Sequence, residues 1–69
     1  LDSKTTALVY LGILASTGLV SGIPFHVDLA KKAGATKDEV ISAILLGLPA
    51  VGNKVTQALP MALEAFGNE

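Results

Sequence analysis

Glycines interrupt this chain around Gly18 to Gly22, at Gly34 and at Gly52, and leave four stretches of a length that suits short helices. No Asn-Gly or Asp-Gly pair lies between alternating apolar runs, so the strongest hairpin signal is missing. No internal repeat is visible either. The reading is an all-α domain, a short bundle of about four helices over residues 1–69.

The first helix is expected over 4–17, with Asp2 or Ser3 accepting hydrogen bonds from the free amides of its first turn. Its apolar residues Ala7, Leu8, Tyr10, Leu11, Ile13, Leu14 and Ala15 run nearly all the way round, which predicts burial on most sides. A serine cap at Ser21 with Pro24 in the first turn opens a second helix over 21–33, and Gly34 closes it. Within it Phe25, Leu29 and Ala33 share a face, and Asp28 precedes Lys32 by four residues as a weak surface pair. Thr36-Lys37-Asp38-Glu39 reads as a capping box for a third helix over 37–51, bent near its end by Gly47 and Pro49. The fourth spans 53–66 behind an Asn53 cap. Pro60 should kink it, and Gly67 ends it.

A single domain of 69 residues buries only about 60% of the surface its unfolded chain exposes. Other devices usually supplement so small a core. There is no Cys for a disulfide or thiolate site, and one His makes a structural zinc cluster unexpected. Neither a metal nor another cofactor is anticipated. Apolar residues make up 51% of the chain and charged ones only 16%, which excludes disorder and leaves a surface suited to copies of itself or to lipid. Self-association is the expected device. A net charge of −1 without a single Arg gives no footprint for nucleic acid. Residues 5–25 carry no charge, yet their strongly apolar part, 7–15, is nine residues long. As a helix that is ~14 Å, about half the hydrocarbon thickness of a bilayer. The second uncharged run, 40–53, is also short, and neither run has a mid-span carboxylate, so a membrane hairpin is the least favoured alternative. The lack of Cys is compatible with a cytoplasmic setting. The sequence starts at Leu1 rather than Met, as a piece of a longer chain would.

His26 is the one side chain whose ordinary pKa lies near neutrality, and it follows a Ser-Gly-Ile-Pro loop. The bland alternative is a partly buried imidazole satisfied by a backbone carbonyl or by another subunit. Gly12, Gly18 and Gly22 form no phosphate-loop pattern. Asp38 and Glu39 sit where a helix start favours negative charge, so capping accounts for them. Ser16, Thr17 and Ser21 lack the orienting group and oxyanion hole that a serine nucleophile requires. Tyr10 is expected to make a buried phenol hydrogen bond.

Leu1-Asp2-Ser3-Lys4-Thr5 before an apolar helix, Pro24-Phe25-His26-Val27, Ala30, Ala33-Gly34-Ala35-Thr36, Asp38-Glu39-Val40, Gly52 and Ala62-Leu63-Glu64-Ala65 occur in one order and spacing along nearly the whole chain. That pattern resembles the carboxymuconolactone decarboxylase and AhpD-like alkylhydroperoxidase family. The resemblance implies an all-α bundle assembling as a homo-trimer or homo-hexamer, in domains that usually carry additional helices. In peroxidase members a C-x-x-C-x-x-x-H motif occupies this helix start, and matching its histidine to His26 puts the cysteines at Leu19 and Gly22. The relay glutamate falls at Ala7, and further acidic and His positions of the third helix fall at Ser42 and Leu46. Only His26 survives. A thiol peroxidase without a thiol has no comparable nucleophile, so Cys-dependent peroxidase activity is not expected and the redox site reads as degenerate. Lactone decarboxylation, with His26 catalytic and Lys54 as the cation binding substrate, is the activity left by the resemblance. The alternative is a non-catalytic oligomeric module that binds a small carboxylate or lactone, or serves as a scaffold.

Overall fold

A computed structural model describes residues 1–68. Helix α1 (Ser3–Thr17) leads through a 3-10 turn (Val20–Gly22) into α2 (Ile23–Lys32). Then come α3 (Lys37–Leu45), the single turn α4 (Leu48–Val51) and α5 (Lys54–Phe66). The four longer helices pack in the cyclic order α1, α2, α5, α3, with α1 also touching α5 across the middle.

Local chemistry sets most of these boundaries. The Asp2 carboxylate accepts the Thr5 amide at 2.7 Å and caps α1. Gly18 ends that helix in the left-handed region, φ 77°, where the Leu19 amide turns back onto the Leu14 carbonyl at 3.0 Å. Gly34, φ 99°, does the same after α2, and the Ala35 amide reaches the Ala30 carbonyl at 2.9 Å. The capping box of α3 is complete: Thr36 Oγ1 accepts the Glu39 amide at 3.1 Å, and the Glu39 carboxylate accepts the Thr36 amide at 2.9 Å. Glu39 also receives Lys4 Nζ at 3.1 Å, which pins α1 to the start of α3. At the other end Lys31 Nζ donates to the Phe66 carbonyl at 2.7 Å and lies 4.9 Å from the centre of the Phe66 ring, joining α2 to the last turn of α5. The Asp28–Lys32 pair forms at 2.9 Å on the surface.

Several boundaries depart from sequence expectation. Ser21 lies in the 3-10 turn and Gly22, without a capping side chain, precedes α2. Asn53 makes no side-chain cap; Thr56 Oγ1 donates back to its carbonyl at 2.7 Å instead. The expected helix over 37–51 is broken at Leu46 and Gly47 because Pro49 has no amide to donate and its ring crowds the carbonyl four residues earlier. Helix α5 runs through Pro60 and stops before Gly67, the end expected for it. Helix α1 is not buried on most sides: Ala7, Leu11, Leu14 and Ala15 face the core while Val9, Tyr10 and Ile13 are exposed. The three longer helices beside it cover one stripe and no more. At 15 residues α1 reaches ~22 Å, short of a bilayer core. No helix among the described residues is long and apolar enough to cross a membrane.

The core is built from small residues at the helix contacts. Val55, Ala58, Ala62 and Phe66 form the inner stripe of α5, against Val27 and Ala30 of α2 and Val40 and Ile44 of α3. Helices α1 and α3 approach so closely that a Cβ at Gly12 would stand 3.1 Å from the Ala43 carbonyl oxygen.

Three outcomes follow from this packing. Thr36→Ala removes one capping acceptor and should lower stability by about 1 kcal/mol in urea unfolding. Gly12→Val forces α1 and α3 apart and should cost about 1–3 kcal/mol in the same assay. The Thr36 amide, and after it the Lys4 ammonium, hold the Glu39 carboxyl below its ordinary range. A depressed folded-state pKa gives a contribution that is present above the ordinary carboxylate range and lost as pH falls through the lowered value. Glu39→Gln should therefore flatten the acid limb of a stability–pH curve, whereas an unchanged limb would show that the carboxylate contributes nothing.

Candidate functional site

His26 is the fourth residue of α2, one turn after the Gly22 start. Its ring is half-buried, and its centre lies 4.3 Å from that of Tyr10 on α1 with 42° between the planes. Phe25 meets it edge-on at 5.2 Å and is itself 64% exposed. Among the described residues neither imidazole nitrogen makes a hydrogen bond within the chain. The ring is thus fixed by packing, and its polar atoms remain available to a ligand.

The imidazole lies in the wall of a depression of about 440 Å3 between α1 and α2. Helix α1 contributes Ser3, Thr6, Ala7 and Tyr10, a stripe at helical spacing, and α2 contributes His26, Leu29 and Ala33 in the same way. Leu1 closes one end. The side-chain polar groups are three hydroxyls and one imidazole, none of them from a Lys, Asp or Glu, and the α-amino group belongs to the lining residue Leu1. Asp2, between two of the lining residues, is held below the usual carboxylate range by the Thr5 amide that it caps. A negative charge therefore stands at the edge of the depression. Among the described residues no three metal-ligating side chains come together.

The fold and its groove define an all-helical domain with a histidine set between its first two long helices. The sequence model of the carboxymuconolactone decarboxylase family matches residues 1–64, and the chain belongs to that family. No curated protein and no solved structure matches it.

The sequence-derived positions divide between two faces. Ala7, at the place of the relay glutamate, lines the His26 depression. Gly22, where the resemblance put the second cysteine, would place a Cβ 3.2 Å from Leu14 Cδ1 and 3.8 Å from His26 Cδ2, so this position borders the imidazole. Leu19, at the place of the first, is exposed just before the 3-10 turn. Ser42 and Leu46 lie elsewhere, in a second groove between α1 and α3 with Thr5, Leu8 and Val9. Lys54 is exposed in the first turn of α5, outside the wall of the His26 groove. Tyr10 is 45% exposed and serves as ring neighbour to His26, where a buried phenol hydrogen bond was expected. Ser3, Thr6, Leu29 and Ala33 were not anticipated as site residues. The signal that could have found them is the three- and four-residue spacing of Ser3, Thr6 and Tyr10 on one face of α1.

If Tyr10 is what holds the imidazole, Tyr10→Leu should move the His26 ring-proton resonances downfield as the aromatic shielding is lost. Unmoved resonances would place the two rings apart in solution.

Proposed function

We propose that this member of the carboxymuconolactone decarboxylase family binds a small lactone or carboxylate in the groove between α1 and α2, with His26 as its acid–base group. The observation that carries this reading is a half-buried imidazole with both nitrogens unengaged, facing an apolar groove bearing three hydroxyls. In a decarboxylation the bond to carbon dioxide breaks and its electron pair moves into the lactone system as a dienolate. Donors such as the Ser3, Thr6 and Tyr10 hydroxyls would steady the developing oxyanion, and protonated His26 would return a proton to carbon. A thiol-based peroxidase cycle has no nucleophile in this sequence. Lys54 enters this reading only as a cation contributed by a neighbouring copy.

Self-association into a trimer or hexamer belongs to the same proposal. Helix α1 leaves Val9 and Ile13 exposed beside Leu46, which is 75% exposed, and these residues flank the apolar groove between α1 and α3. A second reading, a non-catalytic binding module, is favoured by the lack of any charged side chain in the wall around His26.

His26→Ala separates the readings. With the far-ultraviolet spectrum and particle mass unchanged, loss of both ligand binding and lactone turnover supports the catalytic site, and loss of binding where the parent shows no turnover supports the module. Unaltered binding would remove His26 from the site. For the assembly, Ile13→Glu should reduce the mass seen by light scattering to that of one chain, and a parent that already scatters as one chain would refute self-association.

A further inference from the structure

We propose that the His26 groove takes up a carboxylate ligand together with one proton, so that the ring binds the anion as imidazolium and already holds the proton that decarboxylation later consumes. This rests on the reading of the groove as the small-molecule site and adds how its acid is loaded.

The imidazole stands in the wall with no polar partner of its own. Tyr10 of α1 is the titratable group in contact with it, at 4.3 Å between ring centres, and Phe25 meets it at 5.2 Å. Among the described residues neither nitrogen makes a hydrogen bond within the chain. On the side of the 3-10 turn Gly22 brings backbone and no side chain. The charged groups of the surrounding elements are engaged elsewhere or lie outside the wall. On α1, Asp2 accepts the Thr5 amide at 2.7 Å and Lys4 bonds Glu39 of α3 at 3.1 Å. On α2, Lys32 bonds Asp28 at 2.9 Å and Lys31 reaches the Phe66 carbonyl at 2.7 Å. Lys37 and Asp38 of α3 and Lys54 and Glu64 of α5 do not line the groove. The α-amino group of Leu1 belongs to the opposite end, since α1 alone separates Ser3 from Tyr10 by about 10 Å.

A carboxylate bound beside His26 therefore meets one group that can become its countercharge, and imidazole is the side chain that changes charge between about pH 5 and 8. The coupling is reciprocal: a proton on the ring favours the anion, and the anion favours the proton by the same factor. The resulting N–H to carboxylate bond is charge-assisted and roughly twice as strong as a neutral one.

The proton balance of the reaction fits this order. In a decarboxylation a carboxylate and one proton become a C–H bond and carbon dioxide, so each turnover consumes one proton. While the carboxylate is present it holds that proton on the ring. When the C–C bond breaks, carbon dioxide leaves uncharged, the electron pair stays on the substrate, and the imidazolium loses its acceptor at the step at which carbon requires an acid.

The test titrates the intact chain with a γ-lactone bearing one carboxylate and with the methyl ester of the same compound. The His26 and Tyr10 ring resonances locate the binding, and heats measured in two buffers of different ionisation enthalpy count the protons. The proposal expects the acid to take up about one proton at pH 7.5 and to bind about tenfold or more weaker at pH 8 than at pH 6, and the ester to show neither effect. His26→Gln, with its far-ultraviolet spectrum unchanged, should abolish the uptake. Binding of the acid at these resonances without proton uptake, or an uptake that His26→Gln leaves intact, overturns the coupling while leaving the groove as the ligand site. Failure of the acid to bind, or binding with no change at His26 and Tyr10, overturns the groove reading as well.

Discussion

The four longer helices of this chain come together through side chains that occupy almost no room. Seven of its fifteen buried apolar residues are alanines, and at Gly12 even a methyl group would press on the Ala43 carbonyl. Close approach brings many backbone and Cβ atoms into contact, so a short chain gains dispersion energy without long side chains in its interior. The corollary is that few large residues remain inside. Leu11, Ile23, Ile44, Val27, Val40 and Val55 are the largest fully buried side chains, and much of the remaining apolar bulk stays outside, as Ile13, Phe25, Leu29 and Leu46 do. The His26 groove and the groove between α1 and α3 border this displaced bulk, so the site and the exposed face of α1 follow from how the core is packed.

Capping chemistry was the most legible part of the sequence. Thr36 with Glu39, Asp2, Gly18 and Gly34 each act within one turn of themselves, through a hydrogen bond or a left-handed residue that needs no partner from elsewhere in the fold. Ser21 and Asn53 are of the same residue types but cap nothing, because Ser21 lies inside the 3-10 turn with Gly22 at the start of α2, and Asn53 has helical rather than extended backbone angles, φ −65° and ψ −7°. Pro49 was seen as a bend and proved to be a break. Pro60 lies on the exposed side of α5, and the helix continues past it. The all-round apolarity of α1 could not show which stripe would be covered, since that depends on the neighbours that tertiary packing supplies.

The site was legible in one residue and hidden in the rest. His26 is distinctive as the sole imidazole, whereas Ser3 and Thr6 look like ordinary helix-start hydroxyls and Leu29 like core. Family membership adds a further layer. The two positions to which the resemblance pointed, Ala7 and Gly22, both lie beside His26, and in this chain they carry a methyl group and a hydrogen. Family membership thus speaks for the scaffold, and the chemistry of the groove has to be read from the side chains present.

The break at Gly47 also sets the turn α4 apart from the core. Every residue from 48 to 54 is exposed, and the single turn α4 is held by short-range bonds such as Val51 to Gly47 at 2.9 Å and Gly52 to Leu48 at 2.9 Å. None of the buried core comes from α4. This turn can therefore unwind and re-form as a small cooperative unit of its own while α1, α2, α3 and α5 stay packed. Its amides should exchange with solvent faster than those of the four longer helices, while Gly47, packed against Ser16 and Val55, anchors the near end of the connection.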